Sequence, residues 1–270
     1  MRICSLLPGA TEVIAALGLA DELVGVSHEC DYPPQVRNKP IMVRPSIHPD
    51  RTSSPDIDRH VRAALESNQR LYALDETLFM RAEPDLVITQ DLCHVCAVTP
   101  DQLERAISGL PAQPVLLTLN PTNLDQVLMD IECIGAATGK EREARTLTAS
   151  LRNKLQSVKE RVAQARERPK IACLEWLDPL YNAGHWVPEM VALAGGIDTL
   201  GIAGQPSRQI TWSQLLTTEP DLVVLMPCGF SIERTLQEVD RLTSYPDWHR
   251  LPAVRNDCVY AVDAASYFNR

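Results

Sequence analysis

The chain repeats one short segment, and this repetition constrains the fold more than any other feature of the sequence. EPDLVITQDLC at 83–93 returns as EPDLVVLMPCG at 219–229, an offset of 136 residues. A looser similarity relates RICSLLPGATEVIAALG at 2–18 to KIACLEWLDPLYNAGHWVPEMVALAGG at 170–196. Both members of this second pair predict a strand, a loop and a helix that ends at glycine, where a left-handed backbone costs little. The two halves of the chain are therefore predicted to fold alike.

Short apolar runs alternate with helical segments, which predicts an α/β fold with parallel sheets covered on both faces. Between the halves, apolar residues recur every three or four positions from Ala144 to Ala165 and predict one long helix over about 140–168. We predict two Rossmann-like lobes, 1–120 and 170–270, separated by a helical segment, 121–169, whose long helix joins them rigidly. Strands are predicted near 3–6, 23–26, 85–89 and 114–118, and near 170–174, 221–226 and 258–262.

Charge and hydropathy argue against two classes of partner. The formal net charge is -9, and an acidic chain without a broad basic face is a poor candidate for nucleic-acid binding. No apolar stretch is long enough to predict a membrane-spanning helix. The N-terminus as written carries no secretory signal, which predicts a cytoplasmic location. A leader removed from the chain would instead place the protein in the periplasm or at the cell surface. We expect a monomer.

Polar and aromatic side chains gather after the predicted strands. Ligands of open parallel sheets bind outside the carboxyl ends of the strands, and two lobes that face each other would bring these loops to one cleft. Flat aromatic side chains suit a bulky, partly apolar ligand, and an arginine can pair with its carboxylates or donate to its amides. The predicted ligand-binding residues are Pro8, Gly9, Ala10, His28, Glu29, Cys30, Tyr32, Gln90, Asp91, Cys93, Cys96, Trp176, His185, Trp186, Cys228, Phe230, Ser266, Tyr267 and Arg270.

The CxxC pair formed by Cys93 and Cys96 leaves several chemistries open. A structural zinc needs more ligands than one CxxC pair provides. His28, Cys30 and His185 are the candidates for these ligands of a bound zinc or iron, if folding brings them close to the pair. A redox CxxC opens a helix in a thioredoxin-like unit. A disulfide within the pair, or from Cys30 to one of its members, needs an oxidising compartment. We favour lining of the ligand site over a separate metal centre, and we expect no required cofactor.

Several segments resemble the substrate-binding proteins of cobalamin ABC importers: VGVSHECDYPPQ at 24–35, the duplicated EPDLV, ALAGG at 192–196 and SYFNR at 266–270. The resemblance extends over nearly the whole chain. It implies the bilobed fold of class III substrate-binding proteins, a corrinoid held between the lobes, and an ABC transporter permease as partner.

The same resemblance assigns roles to individual residues. It implies that Trp176 lies under the ligand, that Tyr267 and Arg270 form a C-terminal contact stretch, and that the loop 28–32 lines the first lobe. This chain departs from the family pattern at His28 and the two residues after it, where the family has serine or aromatic residues. It also departs near Gln90, where the family has tryptophan, and at Ser266, where the family often has an acidic residue. A neutral His28 or His185 is in addition a candidate ligand for the cobalt of a corrinoid.

Three functions follow from these observations. The first is non-catalytic binding of cobalamin or a related corrinoid, for uptake through an ABC transporter or for salvage. The second is binding of another metal chelate, haem or a ferric siderophore. The third is a metal-dependent hydrolase or redox enzyme built on His28, Cys30, Cys93 and Cys96. No Ser-His-Asp order, nucleophile elbow, glycine-rich phosphate loop or HExxH motif occurs in the sequence. We therefore predict a binding protein and not an enzyme.

Overall fold

The computed structural model describes residues 1–47, 52–67, 69–90 and 100–269 of the 270-residue chain. The described residues form two compact units, each with its own sheet. This architecture confirms the predicted α/β class. Unit 1 comprises the described residues within Met1–His48, Arg59–Pro121 and Gln126–Ala149, and unit 2 those within Pro49–Asp58, Thr122–Asp125 and Ser150–Arg270.

Unit 1 contains a six-stranded sheet of order β4-β3-β2-β1-β5-β6. All neighbouring strands are parallel except β3 and β4, which are antiparallel. β2 lies on one side of β1 and β5 lies on the other, so the strand order reverses at β1. The strands are β1 Ile3–Ser5, β2 Leu23–Ser27, β3 Ile41–Pro45, β4 Tyr72–Leu74, β5 Leu86–Thr89 and β6 Val115–Thr118.

Helices cover this sheet, and their ends follow local sequence rules. The first begins with Pro8, whose fixed backbone angle suits the first helical position, and it is followed by Gly18 at φ +80°. Another begins at Asp75, whose carboxylate accepts a hydrogen bond from Leu78 N at 2.9 Å, and this helix buries Phe79 completely. The helices in chain order are α1 Pro8–Ala16, α2 Ser54–Glu66, α3 Glu76–Ala82, α4 Pro100–Ser108, α5 Leu124–Thr138 and α6 Glu141–Val162.

The predicted long helix corresponds to α6, a 22-residue helix that begins close to the predicted position and ends six residues before 168. Its residues up to Ala149 belong to unit 1 and those from Ser150 onward to unit 2. Its role as a rigid connector stays a prediction. Of the helices that the structure describes, α6 included, none combines the length and the apolar character that a bilayer span requires.

Unit 2 contains a five-stranded sheet in which β7 is central. On one side of β7 lie β10 and then β11, all parallel. On its other side β8 pairs antiparallel with the end of β7, and β9 pairs parallel with its start. The elements are β7 Lys170–Leu177, β8 Leu180–Asn182, α7 Val187–Leu193, β9 Ile197–Asp198, α8 Trp212–Thr218, β10 Leu222–Leu225, α9 Ile232–Leu236, α10 Val239–Thr243, α11 Pro252–Arg255, β11 Val259–Ala261 and α12 Ala264–Tyr267.

The repeated EPDLV segment has the same structural role in both units. Its glutamate, Glu83 or Glu219, ends a helix in the left-handed conformation, at φ 38° and 46°. Its aspartate then binds the start of the neighbouring strand: Asp85 Oδ2 accepts from the backbone N–H of Arg2 at 2.7 Å, and Asp221 Oδ2 from that of Lys170 at 2.8 Å. The repeat therefore sets the register between β5 and β1 and between β10 and β7.

Candidate functional site

A pocket of about 50 Å³ lies at the carboxyl ends of the strands of unit 1. Because it adjoins β1, where the strand order reverses, it occupies the position at which open parallel sheets bind ligands. A volume of about 50 Å³ holds about one or two water molecules, so the pocket fits a side group of a ligand and not a whole one. Its lining residues are Leu6, Leu7, Pro8, Ser27, His28, Glu29, Val43, Tyr72, Thr89 and Gln90.

His28 contacts two other residues of this pocket. Its Nε2 lies 3.0 Å from Glu29 Oε1, and its ring lies 5.7 Å from the ring of Tyr72. Its Nδ1 is buried and has no hydrogen-bond partner among the described residues. A neutral imidazole that donates from Nε2 to Glu29 keeps Nδ1 as an acceptor. The loop after β2 thus presents a carboxylate and an oriented imidazole.

Cys30 lies in the interior of unit 1. It is 6% exposed, and its Sγ lies 3.1 Å from Thr11 Oγ1 and 3.3 Å from Ser27 Oγ. The hydroxyl of Thr11 donates to Ser5 Oγ at 2.8 Å. The thiol therefore belongs to a network of buried hydroxyl groups. Two further residues that were predicted to bind the ligand have opposite environments. Tyr32, in the same loop, is exposed, whereas Ala10, in α1, is buried.

The CxxC pair and its neighbours Asp91 and His94 lie outside the described residues, and so does Arg270. Within the described part of the chain, no three His, Cys, Asp or Glu side chains group together as metal ligands would. The metal, redox and disulfide hypotheses for Cys93 and Cys96 remain predictions.

An aromatic pair follows two strands of unit 2. Trp176 lies in the last part of β7 and Phe230 follows β10, and their ring centroids are 5.1 Å apart at an interplanar angle of 56°. Phe230 is 2% exposed, whereas Trp176 is only partly buried. Trp176 Nε1 is a buried donor without a hydrogen-bond partner among the residues described. Cys228, in the same loop as Phe230, is exposed, and its backbone N–H donates to Glu175 O at 3.1 Å.

A second group of predicted residues lies around the start of α7. His185 has a left-handed backbone, φ 53°, which is held by a hydrogen bond from its N–H to Gln205 O at 2.6 Å. Its ring lies 6.0 Å from that of Trp186, whose Nε1 donates to Phe268 O at 2.9 Å. Burial lowers the pKa of His185, so the neutral imidazole, the form that binds metals, predominates near pH 7.

Two predicted residues of the C-terminal segment belong to α12. Ser266 is exposed, and its backbone N–H donates to Asp263 Oδ1 at 2.9 Å, which caps the helix. Tyr267 is 67% exposed. Its side chain is therefore available to a ligand or a partner.

The structure also adds residues that sequence reasoning did not identify. In unit 1, Tyr72 reaches the pocket from β4, a short strand that was not predicted. In unit 2, Arg234 lies over the ring of Phe230, with 4.4 Å from its guanidinium carbon to the ring centroid. Phe230, Arg234 and Glu238 follow one another at a spacing of four residues, at which side chains of a helical segment meet, but sequence reasoning did not single out Arg234.

The fold and the residues at the strand ends define the class of protein as an α/β binder of small molecules. The profile of the family described as Periplasmic binding protein matches residues 3–265, and the chain belongs to this family. A vitamin B12-binding protein of Vibrio cholerae is 24% identical over 279 residues, which cover all of this chain and 83% of that protein. One of Yersinia pestis is 24% identical over 90% of this chain and 73% of its own length. These matches confirm the resemblance predicted from the sequence.

Solved structures show the same fold. The apo form of the periplasmic haem-binding protein RhuT from Roseiflexus sp. RS-1 is 22% identical, with a TM-score of 0.72 over 97% of this chain and 89% of that one. The periplasmic vitamin B12-binding protein BtuF of Vibrio cholerae is 21% identical, with a TM-score of 0.69 over 100% and 89%. The fold is thus shared by proteins that are named for two different ligands.

Proposed function

We propose that this chain is the non-catalytic substrate-binding protein of an ABC importer and that its ligand is a metal chelate, with cobalamin or a related corrinoid as the first candidate. The observation that carries the proposal is the aromatic pair of Trp176 and Phe230 at the carboxyl ends of two parallel strands. Trp176 is the partly exposed member of the pair and Phe230 packs against it from the interior, and an exposed aromatic side chain at this position suits the flat face of a chelate. The curated relatives named for vitamin B12 support the corrinoid, and a permease is then the protein partner.

The pocket of unit 1 supports the same ligand class. It offers the carboxylate of Glu29, the imidazole of His28 and the amide of Gln90 in a space of about 50 Å³. These groups accept and donate hydrogen bonds, and the space fits one peripheral amide of a corrinoid.

Titration of the purified protein with cyanocobalamin, hemin and a ferric siderophore in one assay tests this proposal. A ligand at 100 times its dissociation constant adds about 2.7 kcal/mol to stability and should raise the melting temperature by about 5–10 °C. Trp176→Ala should weaken cyanocobalamin binding by about thirtyfold, as expected for a central aromatic contact. The matched control is Trp212→Ala, which removes a tryptophan of unit 2 that stacks on Tyr245. Equal losses in the two variants, or no binding by the wild type, would contradict the proposal.

Haem is the second candidate, and the neutral, partly buried imidazole of His185 favours it. A haem iron bound by His185 should give a sharp Soret band that His185→Ala abolishes. His249→Ala is the matched control because His249 is exposed in the same unit. If both variants keep the Soret band, His185 is not the iron ligand.

A further inference from the structure

An ion-pair cluster lies beside the aromatic pair of unit 2. We call Arg234, Glu238, Arg241 and Asp178 the Arg234 cluster. The side chain of Glu238 is 5% exposed, and its carboxylate accepts hydrogen bonds from Arg234 Nη2 at 2.6 Å and from Arg241 Nε. Arg241 Nη1 also lies 3.2 Å from Asp178 Oδ2. The buried carboxylate is thus neutralised from two sides, as a buried charge requires.

Arg234 connects this cluster to the aromatic pair. Its Nη2 donates both to Glu238 and to Thr52 O at 2.9 Å, and its guanidinium lies over the ring of Phe230. The side chain is 14% exposed, which strengthens a cation–π contact because less water competes for the charge. Both bonds start from the one Nη2 atom, which anchors that end of the guanidinium, while Nε is buried and has no hydrogen-bond partner among the described residues. The ring of Phe230 thus contacts both the anchored guanidinium and Trp176.

Stability alone is a poor explanation for this arrangement. A buried ion pair is often no more stabilising than well-packed apolar side chains of similar volume, and apolar residues would pack against Phe230 equally well. What the charged cluster provides is an anchor, because the hydrogen bonds of Nη2 to Glu238 and to Thr52 O hold the guanidinium over the ring of Phe230. The residue whose orientation depends on it is Trp176, through Phe230.

We propose that Arg234, anchored by Glu238, is a positioning residue that fixes Phe230 and thereby the orientation in which Trp176 meets the chelate. The inference rests on the proposed function, since it takes Trp176 as a contact of the ligand. In this proposal Arg234 acts through its contact with Phe230.

A double-mutant cycle with cyanocobalamin tests this role. Arg234→Gln should weaken binding by about three- to tenfold, the range expected from a lost cation–π and aromatic contact. Phe230→Leu should weaken it similarly, and Arg234→Gln should add no further loss in the Phe230→Leu background. Arg241→Gln is the matched control, because Arg241 also forms an ion pair with Glu238, whereas the cation–π contact with Phe230 belongs to Arg234. This control should change binding by less than about twofold. Arg234→Lys, which keeps the charge but not the planar fork, replaces Arg234→Gln if that variant does not fold.

A second readout needs no ligand. The near-UV circular dichroism of Trp176, obtained by difference from Trp176→Phe, should change in Arg234→Gln and stay constant in Arg241→Gln. The positioning role is overturned if Arg234→Gln binds as the wild type does, if the losses of the cycle are additive, or if the Trp176 signal is unchanged. If the wild type binds no chelate but the Trp176 signal responds to Arg234→Gln, the proposed function fails and the positioning of Trp176 stands.

Discussion

Replacement of Glu238 by glutamine would remove a negative charge from the interior of unit 2 and keep the shape of the side chain. Removal of one partner of a buried ion pair costs about 3–5 kcal/mol, because the remaining charge stays buried. Arg234 is 14% exposed and would be left in that position, whereas Arg241 is 36% exposed and can turn toward water and Asp178. We therefore expect the lower end of the range, a loss of about 3 kcal/mol in the free energy of unfolding of unit 2.

The pKa of Glu238 predicts how this loss depends on pH. Burial acts to raise that pKa, but the hydrogen bonds from Arg234 and Arg241 outweigh burial and hold it below the usual 4.5. A carboxyl group with a lowered pKa in the folded state stabilises the fold above its unfolded pKa and loses that contribution as the pH falls through the folded pKa. The difference between wild type and Glu238→Gln should thus be full at pH 7 and shrink below about pH 4.5.

Tryptophan fluorescence during urea unfolding measures this difference directly. The four tryptophans of the chain, Trp176, Trp186, Trp212 and Trp248, all lie in unit 2, so the signal reports on that unit. Asp240→Asn is the matched control, since it makes the same chemical change at an exposed position of α10 and should cost less than about 1 kcal/mol. The reasoning is refuted if the two variants shift the transition equally, or if the Glu238→Gln loss persists undiminished at pH 3.

Four further substitutions test other parts of the fold. Gly184→Ala should destabilise the protein by about 2 kcal/mol or more, because a Cβ there would lie 2.8 Å from Gln205 O; an unchanged urea midpoint would contradict this. Asp130→Asn should stabilise the protein at pH 7.5 by up to about 1 kcal/mol, allowing for solvent screening. Burial raises the pKa of Asp130 from 3.8 to about 6, so its charge costs stability above that pH, and the gain should vanish below pH 3.8. Asp85→Ala and Asp221→Ala should each cost about 1–2 kcal/mol, and a loss in only one would show that the repeated segments are not equivalent.

The strands were predictable because buried parallel strands consist of continuous apolar residues. The run at 85–89 corresponds to β5, Leu86–Thr89, and the run at 221–226 to β10, Leu222–Leu225. Strands β3 and β4 were not predicted: β4 pairs antiparallel at the edge of the sheet, and β3 lies in the Pro-rich segment 31–50. The end of α6 at Val162 has no sequence signal, because the first helix-breaking residue is Pro169.

The candidate site was predictable only as far as chain topology determines it. Placement of polar and aromatic residues after the strands led to His28 and Glu29, which line the pocket of unit 1, and to Trp176 and Phe230, whose contact with each other was not predicted. Two of the contacts of Arg234, those with Phe230 and Glu238, involve residues four positions away on either side, whereas Thr52 is 182 positions away. The four-residue spacings are present in the sequence, but the contact with Thr52 and the position of Trp176 beside Phe230 become visible only in the folded chain.

The repeat that predicted the fold also separates framework from function. In both units the identical residues Glu-Pro-Asp end a helix and attach one strand to its neighbour through Asp85 or Asp221. The apolar residues that follow form the strand. The two copies diverge directly afterwards, where QDLC in the first corresponds to MPCG in the second. In the second copy the divergent segment begins with Met226, which is fully buried, and continues to Cys228, which is exposed and is a predicted ligand contact. Exchange of Cys228 should therefore alter ligand binding with little loss of stability, whereas changes in EPD should do the reverse.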